Sequence, residues 1–190
     1  MRHGITRYQC EAEGVLQIAA GSDTTSNVIR AIMLYISTSP CVYRKLQQEV
    51  DDAVASGKAS SPMITSAEAK ALPYLQAVLQ EGLRIHPPSL ILASKQVPPE
   101  GDTINGKFIP GGTEIAQNSW SLLRNKWLFG EDADTFRPER WLEVDGEKRA
   151  EMERISGLLF GYGRWMCAGK NIAFMELGKV FFEVCDSLLL

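Results

Sequence analysis

The feature that most constrains this chain is a cysteine that lies between glycines, directly before the last predicted helix. Cys167 stands in the stretch Phe160-Gly-Tyr-Gly-Arg-Trp-Met-Cys-Ala-Gly169, and an amphipathic helix is predicted to begin near Gly169. Glycines let the backbone approach closely and place its N–H groups around a sulfur atom. The partial positive charge at a helix N-terminus also favours the thiolate form. A sulfur held in this way suits a metal ligand or a nucleophile.

Other roles for Cys167 are open at this point. Most lone cysteines simply fill a core. A nucleophile would need a base, and neither of the two histidines, His3 and His86, is placed near it by the sequence. A phosphate-binding loop is excluded, because it would need glycine at Arg164 and serine or threonine at Asn171. No zinc site is indicated, and four sparse cysteines favour a reducing compartment.

Helical spacing of apolar residues dominates the first half of the chain. A first helix is predicted from residue 5 or 11 to residue 37, although its middle, 21–26, is a poor helix sequence. A segment whose residues disfavour the helix in which it lies is often a functional site. Further helices are predicted over 40–57, from a capping box at 65–68, and over 73–86, where His86-Pro-Pro88 stops the last of them.

After residue 89 the helical spacing of apolar residues gives way to short segments typical of β-strands. Strands are predicted at 90–97 and 113–116, with a hairpin over 102–109 that turns at Asn105-Gly106. A short helix is predicted over 118–124, and 125–163 is predicted to be mostly loop, with a charged stretch at 145–154. The fold class predicted is therefore mainly α with a small β region.

Glu81 and Arg84 are three positions apart on a predicted helix and share one of its faces. The simplest interpretation is a surface ion pair, worth about 0–1 kcal/mol. The alternative involves Arg140, which lies in the proline-fixed segment 136–141. If that segment folds back, one carboxylate is shared by two arginines and locks distant segments together.

The composition limits the classes of protein to which this chain can belong. A chain of 190 residues with 45% hydrophobic and 23% charged residues suits one ordinary folded domain. A net charge of −3 without a basic stripe argues against a nucleic-acid partner. The longest apolar run, 31–36, is far shorter than the roughly 20 residues that a membrane-spanning helix needs.

Four segments, taken in order, resemble the signatures of the cytochrome P450 family. They are Ala20-Gly21-Ser22-Asp23-Thr24-Thr25, Glu81-Gly-Leu-Arg84, Phe136-Arg-Pro-Glu-Arg-Trp141 and Phe160-x-x-Gly163-x-x-x-Cys167-x-Gly169. The segments 118–120 and 130–133 look like the filamentous-fungal, pisatin-demethylase-like branch of that family. The resemblance covers nearly the whole chain and implies the C-terminal part of the P450 fold.

The resemblance implies a role for the cysteine loop and for the first helix. Cys167 would be the thiolate ligand of the iron of haem b, with Phe160 packed by the sulfur. The first helix would cross the oxygen-binding face of the haem and open locally there. On the first helix, Ala20 and Gly21 would leave room for dioxygen, and Asp23 and Thr24 would relay protons to it. In the cysteine loop, Gly163 and Gly169 would shape the backbone around the sulfur. Thr25 is as well explained by a hydroxyl bonded to its own helix backbone.

Three further residues would form the structural lock of the family, namely Glu81, Arg84 and Arg140. One departure concerns Trp165, which stands where the family usually has an arginine that contacts a haem propionate. Arg164 lies one place earlier. Either Arg164 binds the propionate instead, and is then a cofactor-binding residue, or the contact is lost.

The resemblance also implies a reaction and its partners. One oxygen atom of O2 would be inserted into a small apolar organic substrate, with electrons from NADPH supplied by a separate reductase. The parent would be held on the cytosolic face of the endoplasmic reticulum by an N-terminal anchor that is missing here. Residues 1–190 are predicted to be a partial P450 domain, truncated at both ends. The alternative is a non-catalytic remnant without stable haem binding, whose first helix and cysteine loop expose apolar surface.

Overall fold

A computed structural model of the chain describes residues 4–89 and 94–188. The helices are α1 (Arg7–Thr38), α2 (Pro40–Ala55), α3 (Ser66–Lys70), α4 (Pro73–Ile85), α5 (Ser119–Leu123), α6 (Lys126–Phe129), α7 (Gly146–Gly157) and α8 (Lys170–Leu188), and the strands are β1 (Lys95–Gln96), β2 (Asp102–Ile104), β3 (Lys107–Ile109) and β4 (Glu114–Ile115). Short 3-10 turns cover Pro138–Trp141, Leu158–Phe160 and Gly163–Trp165. The predicted class, mainly α with a small β region, is confirmed.

The core forms around α4, which contacts α1, α2, α3, α7, α8 and the turn Pro138–Trp141. This helix begins at Pro73, whose missing N–H costs nothing in a first turn, and it ends before His86. Ten of its residues are buried, including Glu81 and Arg84. Gly82 lets α1 approach closely, because a Cβ at this position would lie 2.2 Å from Cγ1 of Ile32.

Two antiparallel pairs of short strands form the β region. β1 pairs with β4 through Lys95 and Ile115, and β2 pairs with β3 through Thr103 and Phe108. The predicted hairpin turn is confirmed, since Asn105 and Gly106 both have the positive φ that such a turn needs. Only residues 95 and 96 of the strand predicted over 90–97 are extended ladder residues, and 90–93 lie outside the described part of the chain.

The prediction that 125–163 is mostly loop was wrong. α7 occupies the charged stretch, and its N-cap is Asp145, whose carboxylate accepts a 2.7 Å hydrogen bond from the Lys148 backbone N–H. Only Met152 and Ser156 of this helix are buried. Apolar periodicity therefore gives little signal, and the helix depends on its cap and on residues of good helix propensity.

The local opening predicted in α1 is also absent. The helix is continuous from Arg7 to Thr38, and the Thr24 hydroxyl donates a 2.8 Å hydrogen bond to the Ala20 carbonyl within it. Polar residues of this type bond to the preceding turn and remain helical. In the described parts of the chain, no helix is both long enough and apolar enough to span a membrane.

Candidate functional site

Cys167 lies in a closed loop between the turn Gly163–Trp165 and the start of α8. A 2.7 Å hydrogen bond from the Cys167 N–H to the Phe160 carbonyl closes the segment 160–167, which is called the cysteine loop here. Gly161 has a φ of +77°, and a Cβ at this position would lie 3.1 Å from the Trp165 carbonyl oxygen. Glycine is required there both by conformation and by space. The loop therefore holds its cysteine by backbone contacts.

The thiol of Cys167 is exposed. This excludes the interpretation of Cys167 as a core-filling residue, a role that Cys185 on α8 takes instead. Cys185 is buried, and desolvation together with the nearby Asp51 raises the pKa of its thiol to about 11. Cys167 and Cys185 therefore differ in accessibility, and of the three exposed cysteines in the described residues only Cys167 lies in a loop, since Cys10 and Cys41 lie on α1 and α2.

The glycines and the aromatic residue around Cys167 have distinct surroundings. A Cβ at Gly169 would lie 3.8 Å from the Cys167 sulfur, which is ordinary contact. Gly163 has a φ of +64° with open space around it, so conformation alone favours glycine there. The ring of Phe160 packs on Phe174 at 5.6 Å between centroids.

The residues predicted on α1 lie on an exposed part of that helix. Ala20, Gly21, Asp23 and Thr24 are all exposed, and nothing lies within 4 Å of a Cβ built on Gly21. The apolar side chains of Val15, Leu16 and Ile18, one to two turns earlier, are exposed as well. The N-terminal half of α1 thus presents apolar surface, whereas Val28, Ile32 and Ile36 in its C-terminal half are buried.

A second cluster lies around Glu81, which is fully buried. Its carboxylate accepts hydrogen bonds from Nε and Nη2 of Arg84, both at 2.8 Å, and from Nε of Arg140 at 2.9 Å. Two further donors are the Trp141 indole N–H at 2.9 Å and the Arg137 backbone N–H at 2.8 Å. One carboxylate is therefore shared by two arginines, as the alternative involving Arg140 predicted, and the simplest interpretation, a surface ion pair, was wrong.

The two buried guanidinium groups have further acceptors. Arg84 Nη1 donates to the carbonyls of Leu123 and Ala133, at 2.7 and 2.6 Å. Arg140 Nη1 donates to the Asp132 carboxylate at 2.9 Å. Desolvation raises the pKa of Asp132, but hydrogen bonds from Arg140 and Arg137 outweigh it and hold that pKa below its usual value. Two carboxylates thus balance two buried cations.

Trp141 and Asp132 are members of this cluster that sequence reasoning missed. Trp141 ends the segment 136–141, so its position beside Arg140 could have indicated it. No sequence pattern indicates Asp132, because its contact with Arg140 depends on how the chain folds before the turn Pro138–Trp141.

Arg164, Trp165 and Lys95 lie together at the cysteine loop. The Arg164 guanidinium carbon is 4.8 Å from the centroid of the Trp165 ring, and Lys95 Nζ is 5.5 Å from it. All three residues are exposed. The strand β1 therefore brings a second cation to this loop.

Comparison with known proteins gives a family match over most of the chain. The family model described as Cytochrome P450 matches residues 3–185. A cytochrome P450 monooxygenase named ABA1 from Pyricularia oryzae is 50% identical over 97% of this chain and 36% of its own length. A monooxygenase of the same description, named abl1, from Leptosphaeria maculans is 52% identical over 96% of this chain and 32% of its own length. Pisatin demethylase from Fusarium vanettenii is 41% identical over 95% of this chain and 33% of its own length. The chain thus spans about a third of the length of these relatives.

Proposed function

Because the chain belongs to the cytochrome P450 family, we propose that Cys167 supplies the thiolate ligand to the iron of haem b in a monooxygenase. The observation that carries this proposal is the exposed sulfur of a cysteine whose loop is closed by backbone contacts. Such a loop fixes the position of the ligand atom before the cofactor binds, and this reduces the ordering that binding requires.

The residues present fit such a cofactor. No cluster of three or more metal-ligating side chains occurs among the described residues, so Cys167 offers a metal one protein ligand. Cys167 would hold the iron of haem b through its thiolate, because the porphyrin brings the other ligands of the metal with it. The exposed apolar residues Val15, Leu16 and Ile18 on α1 would offer apolar contacts to the faces of the macrocycle.

When bound, haem would supply the activation of O2, so that one oxygen atom enters the substrate and the other leaves as water. Electrons would come from NADPH through a separate reductase, and the substrate would be a small apolar organic molecule. One relative is named as a demethylase, which makes a methyl-bearing substrate a reasonable choice for a first trial. For the parent protein we propose the cytosolic face of the endoplasmic reticulum.

Four residues of α1 would leave room for dioxygen and deliver protons to it. Ala20 and Gly21 carry the smallest side chains and would leave room beside the helix. The Thr24 hydroxyl donates its hydrogen to the Ala20 carbonyl, so its oxygen lone pairs remain able to accept. Asp23 is exposed and would exchange protons with water. The two residues would relay protons, Asp23 by exchange with water and Thr24 through the free lone pairs of its hydroxyl oxygen.

The residues of the cysteine loop and the buried cluster would act in support. Phe160, Gly163 and Gly169 would fix the loop around the sulfur. Glu81, Arg84 and Arg140 are buried away from solvent and would act in assembly, because they join α4 to the turn Pro138–Trp141. They would have no part in the chemistry.

Cysteine alkylation in the absence and presence of haem b tests the proposal. Without haem, iodoacetamide should label the exposed Cys10, Cys41 and Cys167 and leave the buried Cys185 unlabelled. With haem, labelling of Cys167 should slow by at least about tenfold, while Cys10 and Cys41 serve as internal controls. Equal labelling of Cys167 in both samples would instead support a chain without stable haem binding.

A further inference from the structure

The turn between β2 and β3 consists of an asparagine followed by a glycine. Asn105 and Gly106 are both exposed, and their φ angles are +51° and +76°. Nothing lies within 4 Å of a Cβ built on Gly106, so no neighbouring group covers the backbone at this position. Glycine has no side chain of its own to shield its nitrogen. The Asn105 carboxamide and the Gly106 nitrogen are therefore both open to solvent.

Neither of these two groups is engaged elsewhere in the described parts of the chain. No hydrogen bond involves the Asn105 carboxamide, and none is donated by the Gly106 N–H. Asn118 and Asn125, in contrast, are helix N-caps, and their side-chain oxygens accept backbone hydrogen bonds of 3.1 and 2.9 Å. The carboxamide of Asn105 is therefore free to turn towards its own backbone, whereas those two are held by the helices they cap.

The hairpin that carries Asn105 is short enough to open locally. β2 and β3 form a two-stranded sheet of three residue pairs, from Asp102 with Ile109 to Ile104 with Lys107. A two-stranded hairpin is only marginally stable in water. Elements with few buried contacts open at a low cost in free energy. Opening lets Asn105 leave its left-handed conformation and bring its Cγ atom to the Gly106 nitrogen.

We propose that Asn105 is a site of spontaneous deamidation through a cyclic imide. The Gly106 nitrogen loses its proton and forms a bond to Cγ of Asn105, while the side-chain nitrogen takes up a proton and leaves as ammonia. Water then opens the ring at either of its carbonyl carbons. One product is aspartate, and the other is isoaspartate, in which the backbone runs through the side-chain carbons. This modification requires neither haem nor Cys167, so it stands or fails independently of the proposed function.

The two products should affect the hairpin differently. Aspartate adopts a positive φ about as readily as asparagine does, so it adds only a negative charge at the turn. Isoaspartate lengthens the backbone between Ile104 and Lys107, which a two-residue turn now joins as a pair. The ring of Phe108 on β3 packs closely on Gly101, where an added Cβ would lie 2.4 Å from its Cζ atom. Isoaspartate should therefore weaken both the pairing and this contact.

The experiment incubates the 190-residue chain at neutral and mildly alkaline pH and follows each asparagine by peptide mass spectrometry. Deamidation at Asn105 should be at least about tenfold faster than at the other asparagines, because Asn105 alone is followed by glycine. These internal controls are Asn27, Asn118, Asn125 and Asn171. The rate should rise with pH, because the attacking nitrogen has to lose its proton. Chromatography of the peptides should separate two products, aspartate and isoaspartate.

Two variants test the ring closure and its effect on the hairpin. Asn105→Gln would have to form a larger ring, so loss of ammonia at this position should cease over the same incubation. Asn105→Asp reproduces one product and should leave hydrogen exchange of the β2 and β3 amides unchanged. The isoaspartate form should exchange these amides faster than Asn105→Asp does.

Three results would contradict the proposal. Equal rates at Asn105 and Asn118 would show that the free carboxamide and the following glycine have no effect. Aspartate as the sole product would indicate direct hydrolysis by water, without the cyclic imide. Equal hydrogen exchange in the isoaspartate form and in Asn105→Asp would overturn the predicted loss of strand pairing.

Discussion

Arg140 Nε donates a hydrogen bond of 2.9 Å to Glu81 Oε1, and this contact joins residues 59 positions apart in the sequence. The same oxygen accepts from Arg84 Nη2 at 2.8 Å. α4 and the turn Pro138–Trp141 are therefore connected through one buried carboxylate.

Glu81→Gln should strongly destabilise the chain. Glutamine has nearly the same shape, but it removes the charge that two buried guanidinium groups share and turns an N–H2 group towards their donors. Breaking a buried ion pair from one side costs about 3–5 kcal/mol in the free energy of unfolding. Chemical denaturation followed by far-ultraviolet circular dichroism measures this loss.

Glu11→Gln is the matched control for the charge change. Glu11 pairs with Arg7 at 2.7 Å, but both side chains are more than half exposed. Its effect should stay below about 1 kcal/mol. An equal effect of the two substitutions would show that the carboxylate of Glu81 does not hold these segments together.

Trp141→Phe tests the fourth side chain of the cluster. Phenylalanine keeps an aromatic ring in the core but cannot donate the 2.9 Å hydrogen bond to Glu81 Oε2. Loss of a hydrogen bond to a charged group should lower the free energy of unfolding by about 1.5–3 kcal/mol. Trp127→Phe, at a ring that is 77% exposed, should have little effect. A double-mutant cycle with Glu81→Gln should show coupling, and simple additivity would contradict the bond.

Gly82→Ala tests the contact between α1 and α4. The new Cβ would lie 2.2 Å from Cγ1 of Ile32, so the Ile32 side chain or one of the two helices has to shift, at a cost of about 1–3 kcal/mol. Gly14→Ala in α1 is the control, because nothing lies within 4 Å of its added Cβ. That change should stabilise the chain by up to about 1 kcal/mol through helix propensity. Effects of the same sign at both positions, measured by denaturation, would contradict the close approach.

The stability of the segment before α3 should depend on pH through Glu68. The hydroxyl of Ser60, followed by the backbone N–H of Thr65, lowers the pKa of Glu68 from 4.5 to about 2. Because the pKa is depressed in the folded state, the stabilisation is complete above pH 4.5 and is lost as the pH falls towards 2.

A carboxyl NMR titration of Glu68 measures this pKa directly. Ser60→Ala removes the hydrogen bond of 2.6 Å from the Ser60 hydroxyl, and the pKa of Glu68 should then rise towards 4.5. Glu68→Gln should remove this part of the pH dependence of unfolding. An unchanged midpoint in Ser60→Ala would contradict the contact.

Local rules predicted the starts and stops of several elements. The capping box at Thr65 and Glu68 forms as the sequence indicates, and α4 runs from Pro73 to the residue before His86. These signals are local, because a cap or a proline acts within one helical turn. The family was predicted from the order of four motifs, and the family match confirms it.

The features that the sequence did not predict depend on contacts between segments that are distant along the chain, or have little apolar periodicity. α7 was missed because the helix buries only two residues and has little apolar periodicity. The spacing of Glu81 and Arg84 predicted that they share a face, but their burial and the place of Asp132 depend on distant segments. The contact between Lys95 and Trp165 depends in the same way on the path of β1.

The most direct measurement is the absorption spectrum of the chain reconstituted with haem b, reduced and exposed to carbon monoxide. The unmodified chain should show the band characteristic of a thiolate-ligated haem, and so should Cys10→Ser, the matched control, because Cys10 is also exposed. Cys167→Ser should lose that band. If Cys167→Ser retains it, or if the unmodified chain binds haem without showing it, Cys167 is not the iron ligand.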